Sequence, residues 1–184
     1  MHMLITILVP AKNLREARTK AEEVVNELVN NEVFDYGVFF DQESLVAGKA
    51  RWGPLPVATP YNSRVGKRLI KQGLKYTWNE FYDGYRNLKR CLRKYTAREL
   101  FEEKILSKRN SIRRVMEKIT NKKNSDFFYL DLWLEQMLRK NQNCYVYAYQ
   151  WGRIKNNSAL ERLFKFYKLS KREEWWVVPV DVHY

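Results

Sequence analysis

The chain has 184 residues, a formal charge of +13 and an aromatic share of 15%; this is enough polymer for one domain with its own core, and it excludes disorder as a description of the whole. Two cysteines, Cys91 and Cys144, exclude a disulfide scaffold and suit a reducing compartment. The longest apolar runs, Leu4 to Pro10 and Trp175 to Val180, fall far short of the ~20 residues that cross a bilayer, so the expectation is a basic, cytoplasmic protein with no membrane partner.

Met1-His2-Met3 has the form of a cloning remnant, which would leave His183 as the one native histidine and predicts neither a metal site nor a cofactor. Leu4 to Val9 is rich in β-branched residues and reads as a buried strand. Asn13 with Glu16 three residues on forms a capping box for a helix ending near Asn30-Asn31. Phe34 to Phe40 predicts a second strand, and Asp41-Gln42-Glu43-Ser44 a turn into a third, Leu45 to Trp52, which together make a β-hairpin.

Arg64 to Gln72 predicts a short basic helix that stops at Gly73. Thr77 with Glu80 opens another helix, whose apolar face runs from Trp78 to Tyr95. Thr96 with Glu99 opens a third, to about Thr120; residues 121–125 read as a linker and Asp126 to Lys140 as a further helix. Cys144 to Trp151 alternates like a strand and is broken by Gly152. Ser158 with Glu161 predicts a helix to about Leu169, and Trp175 to Val182 a last strand, in which Pro179 suggests a sheet edge or a bulge. The element order predicts an α+β fold: a ferredoxin-like split β-α-β sheet, with an N-terminal β-hairpin and a basic helical insertion. Residues 1–63 would supply one half of the sheet, 64–140 the insertion and 141–184 the other half.

The charge is unevenly placed. Residues 64–123 hold 19 basic and 6 acidic side chains, so this third alone carries the whole excess of +13. Clustering of this kind marks an anionic partner, and nucleic acid above all. Arg64, Lys67, Arg68, Lys71 and Lys75 form one row; Arg86, Lys89, Arg90 and Arg93 form a second at helical spacing, and Arg113 and Arg114 belong to a third. Such rows neutralise phosphates. Tyr145, Tyr147, Tyr149 and Trp151 would project from one strand face, where Tyr147 and Tyr149 could stack on bases; the competing reading packs those rings against a helix.

No catalytic constellation is specific. Asp41 and Glu43 beside Lys49 and Arg51 in the expected hairpin offer a general base next to cations, the chemistry of a metal-independent ribonuclease. A solvated turn explains the same residues. Asp131 and Glu135, one helical turn apart, are a pair that a divalent ion or plain solvent could serve.

Phe34-Asp35-Tyr36 followed by Gly48-Lys49-Ala50-Arg51-Trp52-Gly53 resembles a pattern in small phage proteins, where an Asp-aromatic pair precedes a Gly-Gly-Arg-Trp segment; here Lys49 and Ala50 separate Gly48 from Arg51. The overall character resembles phage-encoded counter-defence products, including anti-CRISPR proteins. That resemblance implies a protein acting in the cytoplasm of a host bacterium. It would engage a guide RNA or a guide-loaded CRISPR nuclease and inhibit that ribonucleoprotein by cleaving or displacing its RNA. The expectation is therefore an RNA-binding protein, with a nuclease or a non-enzymatic protein-binding scaffold as alternatives.

Overall fold

A computed structural model describes residues 1–94 and 144–183. Among the described residues the fold is α+β, with a mixed six-stranded sheet and four helices. In chain order these are β1 (His2–Ala11), α1 (Leu14–Asn30), β2 (Tyr36–Phe39), α2 (Lys49–Trp52), β3 (Thr59–Pro60), α3 (Arg64–Lys94), β4 (Val146–Ala148), β5 (Gly152–Arg153), α4 (Asn157–Phe166) and β6 (Glu174–His183). The expected helices at 96–120 and 126–140, the linker at 121–125, the Asp131 and Glu135 pair, and Arg113 and Arg114 lie outside the described residues.

The sheet runs β2-β6-β1-β4-β5, with β3 also on β6. β1 and β6 are antiparallel over their whole length, from His2↔His183 to Ala11↔Glu174. β1 and β2, joined by α1, both run antiparallel to β6, which lies between them. β1 pairs in parallel with β4, which makes the sheet mixed. Both β1 and β6 are apolar on both faces because helices cover both. Ile5, Ile7, Val9, Val178, Val180 and Val182 pack under Ala17, Ala21, Val24 and Val25 of α1. On the other face Leu8, Val146, Val177 and Trp175 pack against Leu69 and Ile70 of α3 and Leu160 and Leu163 of α4. Each such side chain contributes on the order of 1.5–3 kcal/mol when fully buried.

Helix α1 starts as its sequence dictates: Asn13 Oδ1 accepts the Glu16 N–H at 2.9 Å. Glu16 reaches back one residue further than a capping box requires and accepts the Lys12 N–H at 3.0 Å. Helix α4 is capped by Asn156, whose side chain accepts the Ala159 N–H at 2.9 Å, two residues before the expected Ser158.

Three expectations change. The hairpin does not form: β2 pairs only with β6, and Leu45 to Trp52 contains no strand. The Ser44 hydroxyl accepts the Ala47 N–H at 3.1 Å, Gly48 takes φ 56°, and the Gly48 N–H is held by Asp181 Oδ2 at 2.8 Å. This geometry turns the chain into the single helical turn α2. Secondly, Gly73 does not stop a helix; α3 runs through it for 31 residues. The glycine is there for proximity, since a Cβ would meet Val146 Cγ2 at 2.7 Å and Tyr145 O at 3.1 Å. Thr77 is consequently mid-helix, donating to Gly73 O at 3.0 Å and accepting the Tyr145 N–H at 3.1 Å. Finally, the segment with the form of a cloning remnant takes part in the fold: His2 is the first residue of β1.

Pro179 lies inside β6 and still costs no hydrogen bond. Thr6 donates its N–H to Tyr145 O of the β4 segment, so Pro179, its partner across β1 and β6, turns its backbone away from β1. On that far side β3 ends at Val177 and β2 begins at Val180. The imino acid thus occupies the gap between two short strands, where no N–H is needed.

The described residues fall into two units, one of residues 1–78 with 144–183 and the other holding 79–94. The first half of α3 belongs to the sheet unit.

Candidate nucleic-acid interface

The β3–α3 turn launches α3 along one sheet face. Ser63 caps it by accepting the Gly66 N–H at 2.9 Å, and Gly66 packs directly on the Pro60 and Tyr61 backbone. Leu69 and Ile70 are buried, which turns Lys67, Lys71 and Lys75 outward at four-residue intervals. The chain before α4 brings Lys155 to the same place. The result is a groove of about 490 Å³ between α3 and the start of α4. Ile70, Leu74 and Leu160 supply apolar lining, while Lys67, Lys71, Lys75 and Lys155 supply four cations, and no acidic side chain among the described residues lines it. Tyr61 and Trp78 add aromatic rings, Trp78 being 58% exposed. Asn156, the N-cap of α4, and Asn157, its first residue, complete the lining and present the positive end of that helix.

Three of the lysines expected to meet phosphate therefore converge on one groove. Arg64 and Arg68 are exposed on the same stretch of α3 but do not line it. Lys155 and Trp78 complete the groove, and sequence reasoning missed both as ligand contacts. Lys155 stands among ordinary surface charges in the sequence, and Trp78 matched the apolar face of a helix. In the second unit Arg86, Lys89, Arg90 and Arg93 are exposed, with the Lys89 ammonium 6.0 Å from the Tyr85 ring centroid.

The tyrosines of this strand follow the competing reading, in which their rings pack against a helix. Tyr147 is only 2% exposed; it packs edge-on to Phe34 with centroids 6.2 Å apart, inside the core under α1. Burial, above all, pushes its hydroxyl well above the ordinary tyrosine range. No face of this ring is open to a base. Tyr149 is half-buried against the same core and donates from its hydroxyl to Glu23 Oε2 at 2.9 Å, a bond that raises its pKa. Helix α1 covers the strand face that an RNA-binding sheet would leave open.

The proposed hairpin chemistry is also dispersed. Asp41 is paired with Arg18, whose Nε donates to Oδ1 at 3.2 Å and to Oδ2 at 3.1 Å while its guanidinium lies 3.4 Å over the Phe39 ring. Arg51 donates from Nε to Val46 O at 3.3 Å, and Glu43 and Lys49 are exposed. Among the described residues no hydrogen bond or ion pair joins Asp41 or Glu43 to Lys49 or Arg51. Cys144 is buried, and burial pushes its thiol up, the opposite of an activated nucleophile. No group of three or more His, Cys, Asp or Glu side chains among the described residues is arranged to hold a metal ion. No described helix is long and apolar enough to cross a membrane.

Neither the curated proteins nor the solved structures contain a match to this chain. One family model matches from residue 1 to residue 184, described as a domain of unknown function, DUF7995. The chain belongs to the DUF7995 family.

Proposed function

We propose that the protein binds RNA through the α3–α4 groove. The observation that carries this reading is the convergence of Lys67, Lys71, Lys75 and Lys155 around exposed Trp78, with no carboxylate among them. Four ammonium groups that share a groove lined by no carboxylate among the described residues repel one another, so an anion that enters relieves the repulsion and releases its own counterions. The apolar lining and the Trp78 ring suit an unstacked base more than a phosphate alone, which favours a single strand over a duplex. Given the likeness to counter-defence proteins, a guide RNA in a CRISPR ribonucleoprotein is the first target to test. The sheet is read as an elaborated ferredoxin-like one; what supports this is β6 lying between β1 and β2 across α1, and the parallel β1–β4 pair is the departure.

Fluorescence anisotropy with a labelled single-stranded RNA and its duplex at about 50 mM salt tests the proposal. Saturable binding that prefers the single strand and weakens in Lys71→Gln and Lys75→Gln supports it. Absence of binding at low salt rejects it, and shortening of the RNA during the assay would reinstate a nuclease.

A further inference from the structure

The lysines of the α3–α4 groove differ from the anchored cations of the same unit. Arg18 bonds Asp41 and Glu22, and Lys20 bonds Glu16 and Glu173. Lys67, Lys71, Lys75 and Lys155 make no hydrogen bond or ion pair among the described residues. Each ammonium carries three N–H donors and no acceptor. Asn156 lines the groove too, but its Oδ1 already accepts the Ala159 N–H at 2.9 Å, which leaves its amide N–H groups for a ligand. Donors therefore far outnumber acceptors among the lining side chains, and the group that suits them is rich in acceptors and negative charge.

Size and charge narrow the choice. A groove of about 490 Å³ falls in the range of roughly 300–1,000 Å³ that takes one small ligand, whereas channels that track a strand follow about 4–16 nucleotides. The groove thus has room for a single nucleotide. An internal nucleotide brings a single phosphodiester charge and leaves most of the ammonium charge unmatched. A nucleotide at a phosphorylated end brings about −1.5 to −2 from its monoester at pH 7, on three acceptor oxygens. The diester that joins it to the strand adds to that charge. A terminal base also has one stacking neighbour to leave instead of two, so its transfer to the exposed Trp78 ring costs less.

We infer that the groove selects the phosphomonoester end of a single RNA strand, with the terminal phosphate among Lys67, Lys71, Lys75 and Lys155 and the terminal base toward Trp78. The inference rests on the RNA binding proposed above and narrows it to one kind of strand end. A 5′- or a 3′-monoester supplies the same chemistry. Hydrolysis of a phosphodiester leaves a monoester on one of the two new ends, so cleaved RNA is the class of ligand that this site favours over hydroxyl-ended strands.

The test is fluorescence anisotropy of the full chain with one short single-stranded RNA in three forms: hydroxyl-ended, 5′-phosphorylated and 3′-phosphorylated, each labelled at the other end. The inference predicts that one phosphorylated form binds about 10-fold or more tighter than the hydroxyl form, the worth of a charge-assisted hydrogen bond, and which form does so assigns the strand's polarity. That advantage should shrink as pH falls through about 6, where the monoester takes up its proton. Lys67, Lys71, Lys75, Lys155 and Tyr61 are the titratable side chains lining the groove; the hydroxyl form reports their share of any pH effect. Lys71→Gln and Lys155→Gln, shown folded by circular dichroism, should each reduce the advantage. Equal affinity for all three forms would overturn the inference and leave RNA binding standing, and binding of none would remove both. An advantage undiminished in both variants would also overturn it, because the phosphate would then sit outside the groove.

Discussion

Gly73 of α3 and Val146 of β4 approach so closely that a Cβ on the glycine would lie 2.7 Å from Val146 Cγ2. This contact sets the height of α3 above the sheet and hence the positions of Lys71 and Lys75. Gly73→Ala is expected to destabilise the protein by about 1–3 kcal/mol through overpacking, although alanine is the better helix former by about 1 kcal/mol. Urea unfolding checks the sign. A stabilised variant would show that α3 moves away from β4 at little cost.

Asp181 is the buried anchor of the Ser44–Trp52 segment. Asp181→Ala leaves the Gly48 N–H without its acceptor and should cost about 2–4 kcal/mol. Proteolysis within residues 44–52 should quicken well before global unfolding, and mass spectrometry of the fragments would locate the cut.

The aromatic residues separate binding from folding. Trp78→Ala is expected to weaken RNA binding by about 1–3 kcal/mol, the range measured for one stacked base, with little change in the urea midpoint. Tyr147→Ala should instead lower stability by about 3–5 kcal/mol, with unchanged affinity per folded molecule. An exchange of these two outcomes would return the binding surface to β4.

Lys20 of α1 ties that helix to the start of β6. Its ammonium bonds Glu16 at 2.9 Å, Glu173 at 3.2 Å and Pro10 O at 2.7 Å. Partial burial pulls its pKa down, but bonds to Glu16 and Glu173 more than offset this, and the net shift is upward. Glu16 is lowered, first by the Lys20 bond; Glu173 is lowered, first by the Ser170 N–H. The lowered carboxylates stabilise the fold above their ordinary pKa of 4.5 and lose that contribution as pH falls through their folded values. The raised Lys20 contributes below its ordinary 10.5 and is lost only as pH rises through its folded value. The stability gap between the wild type and Lys20→Met should therefore be flat near neutrality and close at both extremes, as read from urea midpoints against pH.

Local signals made much of the frame legible. β1, α1 and β6 follow from a β-branched run, an Asn13 cap and a second apolar run, because each is decided by neighbours in sequence. The errors arose where distant residues decide. Gly73 reads as a stop until β4 is known to lie against it, and Leu45 to Trp52 reads as a strand until Asp181 binds Gly48. Tyr145, Tyr147 and Tyr149 do alternate toward one core, but nothing local reveals that α1 covers it or that Trp151 lies in the turn beyond β4. In the candidate interface the α3 lysines were visible as a row; Lys155, more than 70 residues further on, joins them only through the fold.

The most direct measurement is the salt dependence of RNA affinity for the wild type and for a variant with Lys67, Lys71, Lys75 and Lys155 all changed to Gln. If the groove holds the strand, the slope of log K against log salt should shrink by roughly 3, about 0.7 for each single-strand phosphate contact removed, and affinity at low salt should fall with it. A variant with the wild-type slope and affinity would contradict the account and place the RNA elsewhere on the molecule.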